Sequence, residues 1–348
     1  MQLTLLSRSA WLAVTIVVLL LTAWEGHWRG EHYPRRPDDN RHLWAENRAM
    51  VKKLGSGDVI LIGSSRVFYD IQLNEWEAIT GRRPLQLAMA GSSPMPVLRD
   101  IVENTDFNGT LLIGVTPPLY FLGAGPGVDF WDRPAKWIDH FHERTYAQRF
   151  THFVGKPLQH AFAFLSNDED DFYNDLDLKT LINRIPLKGR VPEAPPFPYF
   201  GYVEDDRNMT MIDAVTEDTA YAGMIKRTWQ YFIAGGPPPD SAWMAQSRQK
   251  TLDMSVSYIN RFRERGGHVV FVRCPSSEWF LMVEDGGFPR ATNWDVLLER
   301  TGAPGYYFED YDFMNKYTPP EWSHLKTTDA RQFTTDLVRQ MQKDGVLQ

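Results

Sequence analysis

The chain has 348 residues, 43% of them hydrophobic and 13% aromatic, enough to bury a full core with room for a second lobe. Lys and Arg total 37 against 44 Asp and Glu, a net charge of -7 with no long basic run, which argues against nucleic acid as a partner. The single cysteine, Cys274, excludes an intrachain disulfide and fits either a cytosolic or a bacterial periplasmic protein.

Arg8 precedes an apolar run from Ala10 to Trp24. Its length falls between a signal-peptide core of about 7–15 residues and a membrane span of about 20. No small-x-small cleavage site follows, and Trp11 and Trp24 bracket the run as interfacial aromatics do. Residues 1–24 therefore read as an uncleaved signal-anchor. The expectation is a single N-terminal anchor in a bacterial inner membrane, with the bulk of the chain in the periplasm or otherwise outside the cytoplasm.

Residues 25–54 read as a polar, Pro-containing spacer to about residue 40 and then a leading helix. "DVILIG" (58–63) is a short unbroken apolar run, as suits a strand buried on both faces. "IQLNEWEAITG" reads as a helix closed by Gly81, and "RPLQLAMAG" as a second strand. "SPMPVLRDIVEN" is a helix with prolines at its start, where they are tolerated, and "GTLLIGV" a third strand. This alternation over residues 55–118 predicts a parallel sheet with helices on both faces.

The pattern lapses over residues 119–240, an aromatic and Pro-rich stretch read as a long insertion or lid with helical pieces near Tyr146–Phe164 and at 176–185. It resumes over 241–348. There a long helix stopped by a Gly pair, the strand "HVVFVRCP", the helix "NWDVLLERTG", a short strand "GYYFEDY" and a terminal helix follow in turn. The expected fold is a three-layer α/β/α sandwich interrupted by a large, mainly helical and loop insertion.

In such sheets functional groups gather at the carboxyl ends of the strands. Those ends are Gly63-Ser64-Ser65-Arg66, Ala90-Gly91-Ser92-Ser93, Gly114-Val115-Thr116 and Arg273-Cys274-Pro275. Serine needs a base held by a third group before it is a useful nucleophile. Of the nine histidines, His324 differs from the rest: it lies on a loop just before the last helix, with Glu321 three residues upstream.

Plainer readings stand beside these. Gly-Ser-Ser after a strand is also a phosphate-binding or structural turn, and Ser64 competes with Ser65. Arg66 either meets a substrate carboxylate or phosphate or joins a structural ion pair. Ser92 and Ser93 suit helix caps, and Cys274 suits a small buried hydrophobe. Trp131, Trp137, Tyr199 and Tyr202 suit sugar stacking or lid core. His140 and His142 lack the spacing and carboxylates of a metal site, and nothing calls for a cofactor.

These marks resemble the SGNH (GDSL-like) hydrolases over roughly residues 55–118 and 241–345. That family carries Gly-x-Ser after the first strand, a Gly loop after the second, Gly-x-Asn after the third and Asp-x-x-His before the last helix. Here the matching residues are Gly63-Ser64-Ser65, Ala90-Gly91, Gly114-Val115-Thr116 and Glu321-Trp322-Ser323-His324. The resemblance implies Ser65 as nucleophile, His324 as base and an oxyanion hole from the Ser65 and Gly91 N–H groups and Thr116. The chain departs from the pattern at two positions. Glu321, or else Asp310 or Asp312, takes the place of the acid, and Thr116 that of the oxyanion Asn.

"GSSR", the proline-ended third strand, "HL" after His324 and the anchor are also similar to membrane-anchored SGNH-like proteins of envelope polymer modification. These include the DltD-type proteins of teichoic-acid alanylation and SGNH-like partners in alginate, cellulose and peptidoglycan acetylation. This implies O-acyl transfer to, or removal from, a polysaccharide or other envelope polymer, often beside a membrane-bound O-acyltransferase. A general carboxylesterase of the same fold, or a degenerate SGNH domain that binds polymer or scaffolds a complex, are the alternatives.

Overall fold

A computed structural model describes residues 2–30, 35–122, 124–165, 185, 197–234 and 240–347. Its centre is a five-stranded, wholly parallel sheet in the order β2-β1-β3-β6-β7. The strands are β1 (Val59–Ile62), β2 (Leu85–Gln86), β3 (Thr110–Gly114), β6 (His268–Arg273) and β7 (Gly305–Tyr307). All four residues of β1 and all five of β3 are buried, which is why both read as unbroken apolar runs. The expected second strand is shorter than its sequence suggests. Its extended chain still follows β1, through Leu87 N–H to Leu61 O at 2.9 Å and Met89 N–H to Gly63 O at 3.1 Å.

Right-handed crossovers decide which face each helix covers. The chain steps from β1 to β2 in one direction, then from β2 past β1 to β3 in the other, so the two connections lie on opposite faces. Helices Ser65–Asp70 and Leu73–Thr80 pack with the terminal helix Thr327–Lys343. Met95–Asn104 packs with Ser241–Glu264, which also meets Trp294–Thr301. The arrangement is compatible with α/β/α layering. Gly81 and Gly302 close their helices in the left-handed conformation at φ 69° and 58°, as a terminating glycine should.

The insertion has more order than its composition suggests. Beyond helix Tyr146–Ala161 it holds helices Asp129–Glu143 and Thr219–Ala234, and an antiparallel hairpin of β4 (Gly201–Val203) and β5 (Met209–Met211). The expected helix at 176–185 lies outside the described residues except for Ile185. The hairpin docks on the sheet domain through Arg207, which pairs with Asp39 and donates to Gln86 O at 3.2 Å, and through Asn208 Oδ1, which accepts from Leu73 N at 2.8 Å.

The N-terminus also differs from expectation. The first helix does not stop near Trp24 but runs Gln2–Gly30, taking in the first residues of the expected spacer. Its stretch Ser7–Gly30 is long and apolar enough to cross a membrane, and its apolar residues Trp11–Trp24 are exposed, whereas Trp28 near its end is buried.

Candidate active site

The strand order reverses between β1 and β3, and the crevice beyond that switch point is where open α/β sheets place their ligands. Ser64 and Ser65 follow β1 there, and Thr116 follows β3. Two glycines set the approach. A Cβ on Gly63 would lie 3.0 Å from Val67 Cγ2, and one on Gly114 would collide with the same methyl group. Their absence lets Val67 settle over the strand ends, so helix Ser65–Asp70 starts directly at Ser65.

Ser64 and Ser65 are thereby separated in role. Ser64 precedes the helix, and its hydroxyl is spent on Thr116, with Oγ and Oγ1 2.5 Å apart. Ser65 Oγ makes no hydrogen bond to a described residue. Its N–H, at the first position of the helix, has no carbonyl four residues back within that helix. Gly91 lies two residues past Met89, which is tied to Gly63, and holds φ 61°. The three groups expected to form an oxyanion hole thus stem from neighbouring strand ends. If Ser64 donates to Thr116, the Thr116 hydroxyl keeps its own proton to donate.

The expected acid and base form a buried pair. Glu321 Oε1 accepts from His324 Nδ1 at 2.9 Å, from the His324 N–H at 2.5 Å and from the Ser323 N–H at 3.2 Å. Its other oxygen accepts from Trp229 Nε1 at 2.6 Å. Trp322, between acid and base, takes the left-handed backbone at φ 80°, which folds the turn back on its own carboxylate. Burial would raise the Glu321 carboxyl, but the His324 charge and this set of donors outweigh it and hold the group below its ordinary value. An ionised carboxylate only accepts, so Nδ1 carries a proton and donates it to Glu321. His324 Nε2 is buried and has no hydrogen-bond partner among the described residues. Asp310 pairs with Arg290 at 2.6 Å on the surface and Asp312 is exposed, so neither stands beside the imidazole.

Short contacts tie the serine helix to the histidine loop. Arg66 Nε donates to Ser323 Oγ at 3.2 Å, Asp70 Oδ1 accepts from the Leu325 N–H at 2.8 Å, and the Tyr69 ring lies 4.7 Å from the His324 ring. Ser65 and Tyr69 share one helix face at i and i+4, so the face that carries Ser65 turns towards His324. The Ser65–His324 hydrogen bond itself is not formed in this structure. Catalytic contacts of this kind often tighten only when substrate is bound.

Arg66 belongs to this scaffold rather than to a binding surface. It is 2% exposed and forks onto Glu284 at 2.8 and 3.1 Å, and Arg273 reaches the same carboxylate at 2.6 Å. Of its two sequence readings, the geometry takes the ion pair. Breaking a buried pair from one side costs about 3–5 kcal/mol. Asp70, fully buried, is pushed well above the ordinary carboxyl range chiefly by desolvation, with Glu321 adding to it and the Leu325 N–H opposing.

Ser93 accepts from the Met95 N–H at 3.3 Å as a cap would, whereas Ser92 turns back to Ala90 O at 3.1 Å. Trp131 and Trp137 are buried, which removes them as sugar platforms, and Tyr202 carries Arg36 4.1 Å above its ring. Cys274 is buried, as a small hydrophobe would be. Sequence reasoning missed Trp229, Phe200 and Tyr69, whose rings enclose His324, and Arg133, which reaches Ala90 O at 3.4 Å beside Gly91. No local pattern marks them. Trp229 meets Glu321 across 92 positions of sequence.

No family model, no curated protein and no solved structure matches the chain.

Proposed function

We propose that the chain is a serine-dependent enzyme of SGNH type that transfers an acyl group to, or removes one from, an envelope or secreted polysaccharide. The observation that carries this reading is the buried Glu321–His324 pair, whose unpartnered Nε2 lies on a loop fastened to the helix that opens with Ser65. Ser65 Oγ attacks the acyl carbon while its proton passes to His324 Nε2. The ester bond to the donor breaks as His324 returns that proton to the leaving oxygen. A polymer hydroxyl, or water, then gives its proton to His324 and takes the acyl group, and as the acyl–Oγ bond breaks His324 passes that proton to Ser65 Oγ. The Ser65 and Gly91 N–H groups and the Thr116 hydroxyl stabilise the charge on the acyl oxygen in both steps.

Placement outside the cytoplasm, on a single N-terminal anchor in a bacterial inner membrane, suits a polymer substrate and a membrane-bound acyltransferase as partner. Acetyl is the proposed acyl group. A plain carboxylesterase would use the same groups without such a partner. The unformed Ser65–His324 bond favours one further reading, a non-catalytic scaffold of the same fold.

The test incubates the full chain in detergent with an activated acetyl ester and follows intact mass and ester turnover. The expected result is a single acetyl adduct, absent from Ser65→Ala and His324→Ala, that releases slowly until a polysaccharide acceptor is added. Rapid turnover without acceptor would assign the esterase. Neither adduct nor turnover would favour the scaffold.

A further inference from the structure

Helix Tyr146–Ala161 has no buried residue, yet both its faces are specialised. At about 100° per residue, Tyr146, Phe150, Phe153, Val154 and Leu158 fall within an arc of about 140°. Those side chains are 89%, 67%, 73%, 42% and 43% exposed. The opposite arc does the docking. His152 and Lys156 bind Glu46 at 2.8 and 2.9 Å, and Gln159 donates to Asp38 at 2.6 Å. A helix held by its polar face, with three aromatic rings directed outwards, reverses the usual surface pattern.

The far end of this helix is fastened to the N-terminal helix just where that helix ceases to be apolar. Glu25 accepts from the N–H groups of Ala163 and Phe164 at 3.1 and 3.2 Å, and Arg29 donates to Ala161 O at 3.2 Å. Trp24 and Trp28 stand at the same level, their rings 5.6 Å apart. If the Ser7–Gly30 stretch crosses a bilayer, this junction lies among the headgroups, the level that Trp and Tyr prefer. An amphipathic helix ending there has lipid as its natural cover.

We propose that helix Tyr146–Ala161 is an interfacial element that lays its Tyr146, Phe150, Phe153, Val154 and Leu158 face into the surface of the bilayer crossed by the N-terminal helix. It gives the sheet domain a second point of membrane contact, which fixes its tilt and the height of the Ser65 crevice above the lipid. The inference rests on reading the N-terminal helix as a span, and does not depend on catalysis.

The test uses the full chain reconstituted into vesicles of phosphatidylethanolamine and phosphatidylglycerol, with an environment-sensitive fluorophore on Phe153→Cys or, separately, on Leu19→Cys. Cys274 is buried, which leaves the new thiol as the reactive one. The expected result is blue-shifted emission at 153, quenched by lipids spin-labelled near the headgroup, and at 19 quenching by lipids labelled near the chain end. Quenching at 19 without quenching at 153 would overturn this inference alone. A shielded but unquenched probe at 153 would do the same, assigning the face to a second copy or a protein partner. No quenching at either position would overturn the span and the inference together.

Discussion

Thr116 and Ser64 share one hydroxyl contact, and the direction of its proton decides whether Thr116 is free to act as the third donor of the proposed oxyanion hole. With Thr116 donating to substrate, Thr116→Val should lower kcat by about 10²–10³-fold while leaving KM little changed, since that contact strengthens only as charge develops. Steady-state kinetics on an acetyl ester would check this, and an unchanged kcat would leave the backbone N–H groups as the whole hole. At this scale the sequence was informative wherever chemistry is local. Gly63, Ser65, Gly91, Thr116 and the Glu321–His324 spacing could all be read from short motifs and strand ends. Trp229 and Phe200 could not, because an aromatic enclosing a distant histidine has the same sequence signature as any core aromatic. Arg66 was ambiguous for a related reason: Glu284, which decides its role, is 218 positions away.

Between elements, the insertion's first two helices are held over the leading helix Arg41–Arg48 by a histidine cluster. His42 Nδ1 and His140 Nε2 lie 3.1 Å apart, and the His152 ring stacks on His42 at 5.9 Å. Desolvation first, then the charges of His140, Arg41, His152 and Arg144, push His42 from an ordinary value near 6.5 down to about 4. The folded state therefore keeps His42 neutral where the unfolded chain would protonate it. This contribution to stability is complete above about pH 6.5 and is lost as pH falls through about 4. Urea titrations across that window should show stability falling with acidification, with a shallower slope in His42→Gln. An identical slope in the variant would place the acid sensitivity elsewhere. The elements themselves were legible wherever burial is two-sided or a glycine closes a helix. The hairpin β4–β5 and helix Thr219–Ala234 were not, because their faces are set by docking against Gln72, Gln86 and Glu321 rather than by their own periodicity. The second strand was over-read because its apolar run continues past the last ladder pair.

Over the whole molecule, the candidate site and a well-formed cavity lie at opposite edges of the sheet. A cavity of about 630 Å³ opens beside Ser56, Thr110, His268 and Gly345, where strands begin. The Ser65 crevice lies where they end, under aromatic groups from the insertion, so cavity volume and the acid–base pair point to different edges. In the proposed reading, the N-terminal helix, the aromatic face of helix Tyr146–Ala161 and the buried acid–base pair belong to a domain seated on a membrane with its chemistry in a covered crevice. The most direct test of the central claim is reaction of the full chain in detergent with a fluorophosphonate, followed by peptide mapping. A phosphonylated Ser65 that disappears in His324→Ala is the predicted result. An unlabelled wild-type chain, or label on Ser64 instead, would contradict the account.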